Sequence, residues 1–201
     1  MPVVHRFDPP ERFVAGTVGQ PGQRVFFLQA RAGSRVTSVA LEKEQVAVLA
    51  ERIDEMLDEL LRGAAGAAAG SGGSDVTIPA TAPAELEDSE PLDQPIQEEF
   101  RAGTMTLAWD AANRRVVVEV FPVKAAAAAT DEEDEEEPTA DEVTAEEVLE
   151  VHLEPGAARA FVKRALAVVS AGRPPCPFCG SPLDPEGHVC PRANGFKRLR
   201  Q

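Results

Sequence analysis

The sequence predicts an α+β fold built from two β-β-β-α units with antiparallel sheets and one helix each, followed by a small C-terminal knuckle. Three observations carry this. Strand-forming runs separated by short turns give way twice to a helical period, at about residue 43 and again at about 155. Segments of the first half recur in order in the second. All three cysteines lie in the last 26 residues, in a stretch too short to enclose a core of its own.

The elements follow in order. Residues 3 to 7 can form a short strand, ended by Asp8-Pro9-Pro10, since proline donates no ladder hydrogen bond. Arg12 to Gly19 reads as a strand, Gln20-Pro21-Gly22-Gln23 as a turn, Arg24 to Ala32 as a second strand, Gly33-Ser34 as a turn and Arg35 to Leu41 as a third strand rich in β-branched residues. From Lys43 to Leu61, Val46, Leu49, Ile53, Met56, Leu57 and Leu60 form one apolar helical stripe, with Gly63 beginning the exit. In the second half, Glu99 to Asp110, Arg115 to Val123 and Glu147 to Leu153 read as strands. Pro155 then opens a helix whose apolar face is Ala158, Phe161, Val162, Ala165 and Val169.

Phe13-Val14-Ala15-Gly16-Thr17 recurs as Phe100-Arg101-Ala102-Gly103-Thr104, Arg24-Val25 as Arg115-Val116, and Val36, Val39, Leu41, Glu42 as Val148, Val151, Leu153, Glu154. The order predicts a duplication, with two sheets in approximate twofold symmetry sharing one core. The expected organisation is a first unit over 1–62, a flexible acidic Ala/Gly/Pro linker over 63–95, a second unit over 96–171 with a disordered acidic insertion at 125–145, and a knuckle with a basic tail over 172–201.

The formal net charge of −14 is concentrated in two tracts. Residues 63–99 and 125–147 hold 19 of the 34 acids and no base, leaving 15 acids against 20 bases elsewhere. Such tracts repel nucleic acid, so binding to it would need a local basic surface. Clustered rather than paired cysteines, no apolar leader-like run at the N-terminus and no apolar stretch of spanning length predict a cytoplasmic protein without a membrane partner.

The pattern Cys176-x2-Cys179-x8-His188-x-Cys190 predicts structural zinc. Cys-x2-Cys supplies two thiolates from one tight turn, and Pro177 and Gly180 suit that turn. His188 and Cys190, one residue apart on an extended segment, face the same side. Asp184, Glu186, a water or a partner's side chain are alternatives to His188 as fourth ligand. A redox pair at Cys176 and Cys179 would sit at a helix N-terminus after a strand, whereas prolines and glycines surround these. Four protein ligands close a zinc site to substrate, so the metal's role is to hold shape.

No phosphate loop, dinucleotide fingerprint or nucleophile elbow is present. His5 and His152 read as half-buried strand histidines, and no catalytic residue is assigned. The tail Arg192 to Arg200 is basic with one aromatic, Phe196. The expected role is a non-enzymatic binding or adaptor protein acting on another protein. A nucleic-acid binder using the zinc segment and tail, and an enzyme with its site in a cleft between the units, are the alternatives.

The Cys-Pro-x-Cys-Gly turn with Cys190-Pro191 resembles a zinc ribbon or rubredoxin-type knuckle, departing from it where His-x-Cys replaces the second Cys-x2-Cys. The opening His5-Arg6-Phe7-Asp8-Pro9-Pro10-Glu11-Arg12-Phe13, the paired Phe-x-Ala-Gly-Thr segments and the ending Gly187-His188-Val189-Cys190-Pro191-Arg192-Ala193-Asn194-Gly195 resemble an actinobacterial domain-of-unknown-function family labelled "repeat protein". That resemblance implies a cytoplasmic protein encoded near histidine-phosphatase-like and kinase-like proteins, one of which would be a pathway partner. It implies no chemistry.

Overall fold

The computed structural model describes residues 3–20, 22–68, 78–123, 147–172, 176–179, 190 and 192. The expected insertion at 125–145 and the basic tail beyond 192 lie outside them. The elements run β1 (Val3–Phe7), β2 (Arg12–Val18), β3 (Val25–Ala32), β4 (Arg35–Leu41), α1 (Lys43–Ala68), a 3-10 turn (Ala84–Leu86), β5 (Glu98–Asp110), β6 (Arg115–Pro122), β7 (Glu147–Leu153) and α2 (Pro155–Ser170). The order β-β-β-α therefore occurs twice, with β1 preceding.

The strands form one seven-stranded sheet in the order β1-β7-β6-β5-β4-β3-β2. The expectation of antiparallel sheets is corrected: the sheet is mixed, because β4 pairs β5 in parallel and β1 pairs β7 in parallel. The physical reason is the connection. After β4 the chain returns along α1 and residues 78–97, so β5 starts from the same end as β4. Since β2 is antiparallel to β3 and β3 to β4, β2 and β5 run the same way. The two halves thus succeed one another along a single sheet, in place of two sheets about a twofold axis.

The sheet must curl. Six inter-strand spacings of about 4.8 Å would make a flat sheet about 29 Å wide. Yet β1 and β2, at its opposite ends, are joined by residues 8–11 alone, a reach of at most about 18 Å. The edges accordingly approach one another. The Arg35 guanidinium, at the β3–β4 turn, lies 4.2 Å over the Phe7 ring of β1 and donates to the Arg6 carbonyl.

Strand alternation supplies the core on the concave side. Phe13 and Ala15 of β2, Phe26, Leu28 and Ala30 of β3, and Val39 and Leu41 of β4 join Val116, Val118 and Val120 of β6 and Leu149, Val151 and Leu153 of β7 in one cluster. Both helices close it, through Val46, Leu49, Ile53 and Leu57 of α1 and Ala158, Phe161, Val162 and Ala165 of α2. Phe161 stacks on Phe13 with ring centres 4.7 Å apart, placing α2 against the β2 edge. The core is shared by both halves.

α1 begins with one half of a capping box, the side chain three residues in reaching back to the N-terminal backbone. The Glu42 N–H donates to Gln45 Oε1 at 2.8 Å, and Gln45 Nε2 donates to the carbonyls of Ala102 and Gly103 at 3.1 and 3.0 Å. This bolts the helix start to β5 where its register shifts. The helix continues through Gly63 to Ala68, beyond the expected exit.

The expected flexible linker over 63–95 is also corrected where it is described. Residues 78–97 form a strap around the β2 edge. Ile78 joins the concave core, while Leu92 and Ile96 pack with Val14, Phe27 and Ala40 on the opposite face of the sheet. Gly16 lets the strap approach: a Cβ there would stand 2.6 Å from Leu92 Cγ. Composition alone marks this stretch as solvated; distant arginines order it, as set out below.

Candidate metal centre

Pro177, Phe178 and Cys179 make a turn after Cys176. That turn returns the second sulfur toward the first, as a Cys-x2-Cys spacing requires. Cys190 completes the group. The sulfurs of Cys176, Cys179 and Cys190 all lie within 4.8 Å of one another, and Cys176 Sγ is 3.8 Å from Cys190 Sγ. This is far beyond the roughly 2.05 Å of a disulfide bond. It matches the edge of a tetrahedron: ligands about 2.3 Å from a central zinc stand about 3.8 Å apart. Cys176 and Cys190 are buried and Cys179 is partly exposed. Arg192 Nη1 donates to the Phe178 carbonyl at 3.2 Å, tying Arg192 back to the turn. Phe178 projects outward, 63% exposed.

Three of the four sequence-predicted ligands are therefore brought together, and this thiol group can hold a metal ion. His188, with Asp184 and Glu186, lies outside the described residues. Thiolate sulfur suits zinc and other soft cations over magnesium or calcium.

A model of the family "Protein of unknown function (DUF3090)" matches residues 5–190, a span that contains all three cysteines and both halves of the sheet. The chain belongs to the DUF3090 family. No curated protein and no solved structure matches it.

Sequence reasoning assigned no role to a second polar cluster of this DUF3090 protein, the one that holds the strap. Asp88 accepts from Arg12 Nε at 2.6 Å, Arg12 Nη2 at 3.1 Å and Arg164 Nη1 at 2.6 Å. Asp93 accepts from Arg12 Nη1 at 2.9 Å. Arg12 Nη2 also donates to the carbonyls of Glu90 and Pro91, and Arg164 to those of Ala15 and Glu90. Ala15 lies on the outer edge strand, so Arg164 engages a carbonyl that β3 is not there to receive on that side. Gln29 reads the strap backbone in both directions, donating to the Asp93 carbonyl and accepting its N–H at 2.7 Å.

The charges respond. The hydrogen bond from Arg12, ahead of its Coulomb attraction, holds the Asp88 carboxyl below the usual range, and Asp88 raises Arg12 in return. Burial, with Arg12 nearby, lowers Arg164. Surface cavities of about 430 and 500 Å³ both border Asp88. Arg12 and Arg164 beside them are engaged by the strap, so these two arginines form a clasp. Arg31, which also lines the larger cavity, reaches Asp93 Oδ1 at 3.4 Å and leaves its buried Nε without a hydrogen-bond partner among the described residues. The one sequence signal for it was arginine in apolar positions: Arg12 opening a strand, Arg164 three residues after Phe161 on the buried stripe.

His152 is buried, with Nε2 2.6 Å from Glu150 Oε1, and Nδ1 3.9 Å from Asp8 Oδ2. His5 is on β1, paired with Leu149 of β7. Among the described residues, neither histidine lines the cavities that border Asp88. Between the halves, β4 pairs β5 directly and α1 packs on α2. Among the described residues no helix is long and apolar enough to cross a membrane.

Proposed function

We propose that this protein is a non-enzymatic binding or adaptor protein whose C-terminal segment is shaped by one structural zinc ion, held by Cys176, Cys179, Cys190 and His188. The observation that carries the reading is the Cys176–Cys190 sulfur separation of 3.8 Å within a three-thiol group. A segment with no core of its own gains a fixed form from four metal bonds. The curled sheet serves as the platform, and the metal turn presents Phe178 to a partner. A thiol group in place of disulfides fits a reducing, cytoplasmic setting.

We also infer that the halves arose by duplication. Phe13 and Phe100, and Ala15 and Ala102, are buried at matching places in their units, and the order β-β-β-α repeats in the same direction. The partner is a protein, with the phosphatase-like and kinase-like proteins of the same pathway the first to try.

Metal analysis of the purified protein is expected to give about one zinc per chain. Cys176→Ser is expected to lose the metal and shift the C-terminal amide resonances, with the resonances of the sheet unchanged. A metal-free protein whose C-terminal spectrum is indifferent to chelator and to this substitution would refute the zinc reading. Capture of the phosphatase-like or kinase-like protein by the full chain, and its loss on deleting residues 172–201, tests the adaptor role. Salt-sensitive binding to an oligonucleotide instead would favour a nucleic-acid role.

A further inference from the structure

The three sulfurs differ in access, and that difference has chemical consequences. Cys176 and Cys190 are 5% and 7% exposed, whereas Cys179 is partly open at the end of a turn whose tip, Phe178, stands in solvent. A metal-bound cysteine is a thiolate, the nucleophilic form of sulfur. All three sulfurs lie within 4.8 Å of one another, so a change at one is within reach of the other two after a small movement. Resting on the zinc reading above, we propose that the group is also an oxidation site: Cys179 is the sulfur attacked by hydroperoxides, and its oxidation releases the metal and unfastens the C-terminal segment.

The chemistry balances. The Cys179 thiolate attacks the distal oxygen of a hydroperoxide. An S–O bond forms, the O–O bond breaks, and the leaving hydroxide or alkoxide takes a proton from water. Sulfur has lost two electrons and the peroxide has gained them, giving a sulfenic acid. A second thiolate, Cys176 or Cys190, then attacks that sulfur. The S–S bond forms as the S–O bond breaks, and water departs with one more proton. Two of three sulfur donors are now spent in a disulfide, and the remaining donors no longer hold the ion. Burial keeps Cys176 and Cys190 from direct attack and leaves them to act as the resolving thiols. A reductant with zinc restores the start.

The test uses the full zinc-loaded chain, with metal content measured first. Absence of zinc at that point refutes the zinc reading and leaves the oxidation step without its premise, so the two failures are told apart. Hydrogen peroxide is then added, zinc release is followed with a chromogenic chelator, and thiols and disulfides are mapped by peptide mass spectrometry. The expected result is one zinc released for every two thiols lost, a first disulfide containing Cys179, and full recovery with dithiothreitol and zinc. Cys179→Ser, if it retains metal, is expected to slow release at least tenfold. Three results would each overturn the proposal: zinc retained while thiols are lost, a first disulfide joining Cys176 to Cys190, or irreversible oxidation without any disulfide. The wild-type mapping decides the matter even if the variant fails to load.

Discussion

Replacing Asp88 by alanine should loosen the strap and with it the β2 edge. Asp88 is 27% exposed at its side chain, but the arginines it serves are nearly buried, Arg12 at 9% and Arg164 at 11%. Removing one member of a buried ion pair costs about 3–5 kcal/mol, because the other charge stays in place without compensation. Two features reduce the figure here. Asp88 is partly solvated, and both arginines keep other acceptors: Asp93 and two carbonyls for Arg12, the Ala15 and Glu90 carbonyls for Arg164. A loss of about 2–3 kcal/mol follows, or roughly 5–10 °C in Tm for a chain of this size. Urea denaturation gives the free energy, and hydrogen exchange locates it: amides of residues 78–97 and of β2 should lose protection first. A loss under about 0.5 kcal/mol, the range of ordinary surface substitutions, with strap protection unchanged, would refute the clasp.

Other outcomes follow from the same contacts. The Asp88 carboxyl is held below its ordinary range chiefly by the Arg12 hydrogen bond, so its stabilisation is complete above the unfolded value near pH 4 and is lost as pH falls further; Asp88→Asn should flatten that acid limb in pH-dependent melting, and an unchanged limb would contradict the assignment. Gly103→Ala should destabilise more than Gly16→Ala by urea denaturation. The new Cβ at 103 meets the Pro122 carbonyl at 2.8 Å and Val123 Cα at 2.9 Å, both backbone, whereas at 16 it meets only the Leu92 side chain. Arg159, 4% exposed, bridges Asp54 and Asp58 of α1 and the Pro79 carbonyl. Arg159→Ala should therefore cost about 2–4 kcal/mol, with increased exchange at both helices.

How far the sequence disclosed this fold depended on the range of the forces involved. Local signals were sufficient for the strands and helices. The β-branched run from Arg35 to Leu41 announces a strand, and Val46, Leu49, Ile53 and Leu57 announce a helix stripe, because propensity and period are properties of neighbours. The Cys-x2-Cys turn was equally legible, since metal geometry constrains spacing directly. The parallel β4–β5 pairing was not, because it depends on where α1 and the strap return the chain. The strap itself was misread for a related reason. Its acids look solvated when only neighbours are counted, and the arginines that neutralise them stand more than 70 residues away in sequence.

The curl imposed by residues 8–11 also bears on where a partner can bind. With β1 and β2 drawn together, the concave face is filled by both helices, and the seam between halves is closed by β4–β5 pairing and α1–α2 packing. The β2 edge is covered by the strap and by Arg164 on the Ala15 carbonyl, which removes one strand edge from use in strand addition. Of the large apolar side chains on the described surface, Phe178 is the most exposed, and it sits between two of the three thiols. On the proposed zinc reading, an aromatic at the tip of this turn loses little conformational freedom when a partner covers it, which is the property that makes such residues strong contact points. Phe178→Ala is therefore expected to weaken partner capture at least tenfold while leaving zinc content and Tm unchanged. Equal capture by the variant would move the contact surface off the metal turn.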